Sequence, residues 1–193
     1  ELVPLGVQTT VLTSAYQDLP RRETCNGVTI LRVPAIRTRQ LEASPAEIAS
    51  YTASALVASL SHVGRNRPDL IHAYFGLPAG AIAWALKGIT RIPYLISFRG
   101  RDVHGGKSMD SAGITGPMRA LSRLVWSEAG ALVANSNGLR DIALRVSPGT
   151  NVSVIPNGVD THRFTPGQHR KDGPLRLLFV GRLEPYKGIE FLL

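Results

Sequence analysis

A short loop near the end of this 193-residue sequence, from Val180 to Gly188, combines glycines with positive charge. It follows an apolar run and precedes the expected start of a helix, which in an open α/β sheet is the carboxyl edge where ligands bind. Gly181 and Gly188 permit close backbone approach to a ligand. Arg182 and Lys187 add two cations beside the free N–H groups of a helix start. The pattern is typical of a diphosphate site, although a surface loop with solvated bases would have the same composition.

The elements that would position this loop are short apolar strands that alternate with helical patterns. Runs of apolar and β-branched residues predict strands that are buried on both faces. These runs span residues 9–13, 28–33, 70–75, 94–98, 131–134, 152–155 and 175–180. Because helices are expected between most of them, the predicted fold is an α/β doubly wound parallel sheet of Rossmann-like type.

The helices carry boundary signals of their own. A capping box, Ser44-Pro45-Ala46-Glu47, opens the first helix, which runs toward His62. Similar signals predict further helices over residues 78–87, 117–129 and 136–146. Ser136 is expected to be the N-cap of the last of these, although its position also borders the predicted ligand cleft.

The pattern changes at the segment Pro156-Asn157-Gly158-Val159-Asp160, which is followed by a polar stretch. We expect a first domain that lacks its first strand, an interdomain linker and the start of a truncated second α/β domain, at residues 1–160, 161–174 and 175–193. Gly158 is expected to supply a turn with positive φ, and Asn157 a side-chain hydrogen bond. Both would then serve the hinge, or contact a ligand in the cleft.

Four stretches carry longer motifs. They read Val-Gly-Arg-Leu with Lys-Gly at 180–188, Val-Ile-Pro-Asn-Gly-Val-Asp with Arg-Phe and Pro at 154–166, Ala-Asn-Ser with Leu-Arg at 134–140, and Asp-Leu-Ile-His-Ala with Gly-Leu-Pro-Ala-Gly at 69–80. In this order, across residues 6–193, they resemble the GT-B glycosyltransferases of the retaining family 4. The resemblance implies transfer of a sugar from a nucleotide-diphosphate-sugar donor to a saccharide, lipid-linked or small hydroxyl acceptor, with retention of configuration.

The resemblance also assigns roles to the glycine-rich loop with its two cations. Arg182 and Lys187, with Gly181 and Gly188 beside them, would hold the pyrophosphate of the donor and stabilise the departing nucleoside diphosphate. The acceptor would lie mainly on the first domain. The family's first glycine-rich loop and its E-x7-E donor segment would fall outside this sequence, so we expect the chain alone to be inactive.

The sequence departs from the family at one strand end. Where many relatives read H-G-x-D, it has Arg99-Gly100-Arg101-Asp102. Arg99 would bind an acceptor phosphate or carboxylate, support the donor diphosphate, or pair with Asp102 as structural support. His72, expected at the carboxyl edge after an apolar strand, either hydrogen-bonds a substrate hydroxyl or is a satisfied structural histidine. Arg99, Asp102 and His72 are the candidate catalytic residues.

The composition gives a net charge of +8, from 22 Lys and Arg against 14 Asp and Glu. The basic residues are spread along the chain, which argues against nucleic acid as a partner. Arg119 and Arg123, one helical turn apart, predict a solvated basic face or a contact with an anionic acceptor or lipid. A single cysteine, Cys25, the lack of a signal peptide and the lack of an apolar span predict a cytoplasmic protein, free or peripheral on the inner membrane face.

Several chemistries have no supporting motif. No D-x-D string and no pair of histidines at i, i+4 occurs, so we expect a metal-independent mechanism without a cofactor beyond the nucleotide-sugar co-substrate. Hydrolase, P-loop and dinucleotide-binding fingerprints are also absent from the sequence. Two alternatives stay open: a GT-B-like nucleotide-sugar epimerase or phosphorylase, and a non-catalytic basic module that binds anionic membrane or polysaccharide.

Overall fold

The computed structural model describes residues 2–36, 44–100, 116–167, 173–174, 176–181, 183 and 187–192. Its contacts divide the chain into two compact units, Glu1–Asn157 and Gly158–Leu193. All the β-strands and α-helices of the described part lie in the first unit. The geometry of the candidate site is therefore set by the first unit.

The first unit begins with a three-stranded sheet in the order β1-β3-β2. Its strands are β1, β2 and β3, at Thr10–Ser14, Arg22–Cys25 and Val28–Val33. β1 and β3 are parallel, whereas β2 and β3 form an antiparallel hairpin. Asn26 and Gly27 join the hairpin with φ values of 49° and 79°, the left-handed pair that a type I′ turn requires. β2 is thus an antiparallel strand that the sequence analysis did not predict.

The helix α1, Pro45–Arg65, follows this sheet and begins at the predicted capping box. Ser44 Oγ accepts a hydrogen bond from the Glu47 N–H at 3.3 Å, and the Glu47 carboxylate accepts one from the Ser44 N–H at 2.6 Å. These reciprocal bonds satisfy two backbone donors at the helix start. Like the other described helices, α1 lacks the combination of length and apolar character that crossing a membrane requires.

The second sheet has four parallel strands in the order β4-β5-β6-β7. The strands are Ile71–Tyr74, Tyr94–Phe98, Ala131–Ala134 and Val152–Val154. Between consecutive strands lie α2, α3 and α4, at Ala79–Thr90, Pro117–Ser127 and Asn137–Val146. This repetition of strand, helix and parallel strand confirms the predicted Rossmann-like α/β class.

The main apolar core lies between α2, α3, α4 and one face of the second sheet. Phe98 of β5 and Trp126 of α3 are both buried, and their rings meet edge to face with centroids 4.7 Å apart. A second cluster joins α1 and α2 to β3 through Ala55, Leu86 and Val33. The helices therefore hold the second sheet from one side, and the side chains of alternate strand residues point to the other.

Two arginines of α3 bind the carboxyl end of α4. Arg123 Nε donates to the Val146 carbonyl at 2.8 Å, and Arg119 donates to the Arg145 carbonyl at 2.5 Å. Carbonyls in the last turn of a helix have no partner within the helix, and positive charge is favourable there. The two arginines of the predicted basic face therefore cap a neighbouring helix, and Arg123 remains exposed at the surface.

The second unit differs from the sequence expectation. Residues 176–180 do not form the predicted strand, and Leu178 and Val180 are 89% and 85% exposed. A strand needs a hydrogen-bonded neighbour, and none of the strands in the described ranges pairs with this segment. The helix predicted to begin at Ile189 is a short 3₁₀ turn, Ile189–Phe191.

Candidate functional site

The carboxyl ends of the second sheet bring together residues that are distant in sequence. Because β5 and β7 run parallel in one sheet, the segments that follow them lie at the same edge. Arg99 directly follows β5, and Asn157 comes three residues after β7. Arg99 Nη1 donates a hydrogen bond to Asn157 Oδ1 at 2.6 Å. The hydrogen bond predicted for the Asn157 side chain therefore exists, and its partner is a second candidate residue.

His72 lies inside β4, at its second residue, and not after the strand as the sequence analysis expected. Its Nε2 is 2.7 Å from Ser97 Oγ on the adjacent strand β5. Pairing with β5 covers Ile71–Tyr74, inside the apolar run predicted at residues 70–75, so His72 lies early in the strand and not at its end. His72 thus has a structural hydrogen bond, and a contact with a substrate hydroxyl stays a prediction.

Tyr74 links His72 to Arg99. The rings of His72 and Tyr74 are stacked, with centroids 4.4 Å apart and planes inclined by 24°. The guanidinium carbon of Arg99 lies 4.8 Å from the centroid of the same Tyr74 ring, within the range of a cation–π contact. In the strand register Tyr74 lies opposite Ser97. His72 is two residues before Tyr74 on β4, and Arg99 is two residues after Ser97, just beyond β5. A row of His72, Tyr74 and Arg99 therefore leads along the sheet to its carboxyl edge.

The electrostatics of this row keep the histidine neutral. Burial lowers the pKa of His72, and the positive charge of Arg99 lowers that pKa further. Since histidine ordinarily titrates near 6.5, the lowered pKa leaves the His72 ring uncharged at neutral pH. A neutral imidazole offers one donor and one acceptor nitrogen, so His72 can orient a hydroxyl group but adds no charge to the site.

The loop after β4 holds an aromatic residue in an unusual backbone conformation. Phe75 has a φ of 81°, which costs a residue other than glycine about 1–2 kcal/mol. Hydrogen bonds fix it on both sides: its N–H donates to the Ser97 carbonyl at 3.0 Å, and its carbonyl accepts from the Gly80 N–H at 3.3 Å. The Phe75 side chain is nevertheless 43% exposed. The fold therefore maintains strain at this position without burying the aromatic ring.

The next residue explains why this loop cannot relax. A Cβ atom on Gly76 would lie 2.9 Å from Trp126 Nε1 and 3.2 Å from the Phe98 ring. Gly80, at the start of α2, is similarly close to side chains of Ile96 and Val125. The Gly76 to Gly80 motif of the sequence thus lets the loop and the helix start pack directly on the core.

The two remaining cleft candidates are Ser136 and Gly158. Ser136 is an N-cap, as predicted, because its Oγ accepts from the Leu139 N–H at 3.2 Å. Gly158, which begins the second unit, is not among the residues with positive φ, so the turn predicted there is wrong. The turn comes slightly later, where Asp160 Oδ1 accepts from the N–H groups of His162 and Arg163.

The predicted diphosphate loop can be described only in part. Arg182 lies outside the described residues, as does Asp102 of the catalytic candidates. Gly188 has a φ of 65° and precedes the 3₁₀ turn, and Gly181 lies against the ring of Phe179. The roles of Gly181, Gly188, Arg182 and Lys187 toward a donor stay predictions.

Comparison with known protein families identifies the chain. The sequence profile of the glycosyl transferase 4-like domain matches residues 1–158. This range covers most of the chain and includes every residue of the row at the sheet edge. The chain belongs to the glycosyl transferase 4-like family. The resemblance on which the sequence analysis relied is thereby confirmed.

Two curated relatives of this glycosyl transferase 4-like chain show its range. A Bacillus subtilis protein named as a teichuronic acid biosynthesis glycosyltransferase is 33% identical over 132 residues, covering 63% of the chain and 32% of the relative. A D-inositol 3-phosphate glycosyltransferase of Kineococcus radiotolerans is 28% identical over 214 residues, covering 100% of the chain and 48% of the relative. The chain thus spans about a third to a half of the length of these relatives.

A solved structure has the same fold as this family member. The sucrose-phosphate synthase of Thermosynechococcus elongatus superposes with a TM-score of 0.68 at 16% sequence identity, over 86% of the chain and 42% of that protein. A second, shorter solved chain of the same enzyme gives a TM-score of 0.61 over 82% of the chain and 81% of its own length. These similarities support the GT-B fold.

Sequence reasoning did not single out Tyr74 and Phe75, which lie next to the candidate residues at the sheet edge. The alternation of β4 was the available signal for Tyr74, since it places this residue on the same face as His72. The left-handed conformation of Phe75 had no signal, because it depends on the packing of Gly76 against Trp126. Across the residues that the structure describes, no group of three His, Cys, Asp or Glu side chains could hold a metal ion. Independence from metal stays a prediction.

Proposed function

We propose that the protein transfers a sugar from a nucleotide-diphosphate-sugar donor to a hydroxyl acceptor, with retention of configuration and without a metal ion. The observation that carries this proposal is the family match over residues 1–158, which contain a row of His72, Tyr74 and Arg99 that meets Asn157 at the carboxyl edge of a parallel sheet. In open α/β sheets this edge is where ligands bind.

The first unit would bind the acceptor. Arg99, fixed by Asn157 and by the Tyr74 ring, would place a positive charge beside the reacting groups. Neutral His72 would hydrogen-bond an acceptor hydroxyl without competing with Arg99 for negative charge. Asp102 would complete the catalytic group. Because Arg99 and His72 are held by Asn157, Ser97 and the Tyr74 ring before substrate arrives, little reorganisation of these two side chains would be needed in the transition state.

The second unit would contribute to donor binding. As the bond between the sugar and the donor phosphate breaks, negative charge develops on the departing nucleoside diphosphate. Arg182 and Lys187 would stabilise that charge, with Gly181 and Gly188 allowing close backbone approach. The cations of Arg182 and Lys187 would thereby replace the divalent ion that other glycosyltransferases use.

The acceptor class is suggested by the names of the relatives. One is named for teichuronic acid biosynthesis and another for D-inositol 3-phosphate, so saccharide, lipid-linked and small hydroxyl acceptors all fit the family. A role in polysaccharide or glycoside synthesis in the cytoplasm, free or at the inner membrane face, is consistent with these names. Nucleic acid is not proposed as a partner.

The test is a transfer assay on the protein produced from its complete coding sequence. The protein is incubated with a panel of nucleotide-diphosphate sugars and acceptors in the presence of EDTA, and products are analysed by mass spectrometry and by NMR of the anomeric centre. The proposal expects the unmodified protein to produce a glycosylated acceptor with retained configuration. It expects the double variant with Arg182→Ala and Lys187→Ala to lose turnover. Arg140→Ala, a change at an exposed arginine that contacts its neighbour Asp141, is the matched control. A converted nucleotide sugar without glycosylated acceptor would instead indicate an epimerase.

A further inference from the structure

Phe75 combines a strained backbone with a partly exposed aromatic side chain. Its backbone is fixed in the left-handed region at φ 81°, while its side chain stays 43% exposed. Glycine would adopt this backbone without strain, and asparagine would adopt it more readily than phenylalanine. Backbone strain of this kind concentrates at ligand-binding sites, where the surrounding structure enforces it.

The neighbours of Phe75 are an unusual mixture of aromatic and polar groups. Tyr74, the preceding residue, is 50% exposed and stacks on His72. Arg99 lies over the Tyr74 ring and is bound to Asn157. Phe75 therefore follows, at the carboxyl edge of the sheet, a row that contains a neutral imidazole, a guanidinium group and an amide.

We propose that Phe75 is a stacking platform for the sugar ring of the acceptor. The proposal deepens the proposed function, on which it rests, by naming the part of the acceptor that this edge would recognise. A pyranose ring has a face of C–H groups and a rim of hydroxyl groups. The Phe75 ring would cover the C–H face, and the hydrogen-bonding groups of the neighbouring row would reach the rim.

A sugar ring fits this arrangement better than the other flat ligand of the reaction, a nucleobase. A base can stack on an aromatic ring without further polar contacts. The exposed Phe75 ring follows a row of side chains that donate and accept hydrogen bonds. The donor nucleotide is moreover expected on the second unit. We therefore assign Phe75 to the acceptor, and nucleotide binding becomes one outcome of the test.

The test measures binding to the protein produced from its complete coding sequence, in the absence of donor. Methyl β-D-glucopyranoside is the sugar probe, because its axial hydrogens H1, H3 and H5 form one apolar face, and uridine 5′-monophosphate is the nucleotide probe. Saturation-transfer-difference NMR reports which hydrogens of each probe contact the protein. The variants are Phe75→Gly, which removes both ring and strain, and Phe75→Tyr, which keeps both. Phe164→Ala, at a phenylalanine that is 62% exposed in the second unit, is the matched control.

The platform predicts saturation concentrated on H1, H3 and H5 in the unmodified chain. The signal should fall by about fivefold or more in Phe75→Gly, as expected for loss of an aromatic contact, and persist in Phe75→Tyr and Phe164→Ala. The thermal midpoint of Phe75→Gly should be equal to or above that of the unmodified chain, since strain is relieved.

Three binding results would overturn the platform. They are no sugar signal in the unmodified chain, a signal that is unaffected by Phe75→Gly, and a Phe75-dependent signal from the nucleotide alone. A large drop in the thermal midpoint of Phe75→Gly would also contradict it, because the ring would then serve packing. Failure of the transfer assay with sugar binding intact would remove the proposed enzymatic function and leave the platform standing.

Discussion

Arg99 and Asn157 are 58 positions apart in sequence, yet Arg99 Nη1 donates to Asn157 Oδ1 at 2.6 Å. The contact joins the end of β5 to the last residues of the first compact unit. Asparagine supplies a neutral acceptor, so the bond orients the guanidinium group without neutralising its charge. The contact thereby couples a candidate catalytic residue to the segment from which the second unit begins.

The charge of Arg99 can be measured through His72. Arg99→Gln removes one of the two causes that lower the His72 pKa, while burial, the larger cause, remains. The pKa of His72 should therefore rise toward, but not above, the ordinary value near 6.5. NMR titration of the His72 ring resonances checks this, with Arg140→Gln as the control for a general loss of positive charge. An unchanged pKa in Arg99→Gln would show that the two side chains do not interact in solution.

The same histidine predicts a pH dependence of stability. Because the pKa of His72 is lowered in the folded state, protonation favours the unfolded chain. The contribution of His72 to stability is thus complete above about pH 6.5 and is lost as pH falls through the folded pKa. Urea denaturation at pH 7.5 and pH 5 should show a smaller loss of stability on acidification in His72→Gln. Equal losses in both proteins would contradict a lowered pKa of His72 in the folded state.

The caps on α4 predict a loss of stability without a change of site. Arg123→Ala removes the bond from Arg123 Nε to the Val146 carbonyl and should cost about 1 kcal/mol of unfolding free energy. Arg140→Ala, an exposed arginine on α4 itself, should change stability by less than about 0.5 kcal/mol. Chemical denaturation of the two variants compares them directly. An Arg123→Ala variant as stable as Arg140→Ala would mean that the helix end is satisfied by water.

The packing of the loop after β4 predicts opposite effects for two glycines. Gly76→Ala should destabilise the fold by about 1–3 kcal/mol, because the new methyl group meets Trp126 and Phe98 at short distance. Gly88→Ala, in the interior of α2 with open space around it, should stabilise by about 0.5–1 kcal/mol. Thermal unfolding of both variants checks the pair. A neutral Gly76→Ala would show that the loop shifts freely, and the strain at Phe75 would then have no support.

Much of the fold was predictable because its signals are local. The strands at Val28–Val33, Tyr94–Phe98 and Ala131–Ala134 appear at the predicted residues, since they are apolar runs bounded by turn residues. The capping box of α1 also formed as predicted. β2 was missed because Arg22–Cys25 carries no apolar alternation, and its pairing comes from the Asn26-Gly27 turn.

The candidate site was predictable as a list of residues but not as an arrangement. His72, Arg99 and Asn157 were each found from motifs, whereas their connection depends on strand register and on chain segments that are far apart. Tyr74 joins them only because β4 and β5 pair with Tyr74 opposite Ser97. Residues 176–180 of the predicted run at 175–180 show the converse, since no strand of the described ranges pairs with them and they do not form a strand.

The central claim is that the edge formed by His72, Tyr74, Arg99 and Asn157 binds the acceptor of a glycosyl transfer. The most direct measurement is steady-state acceptor kinetics of the protein from its complete coding sequence, comparing Arg99→Gln with Arg140→Gln at saturating donor. We predict that Arg99→Gln lowers kcat/KM for the acceptor by about tenfold or more, while KM for the donor and all parameters of Arg140→Gln stay unchanged. Equal acceptor kinetics in the two variants would contradict the account. A loss of transfer in Arg99→Gln that comes only from a higher KM for the donor would contradict it as well.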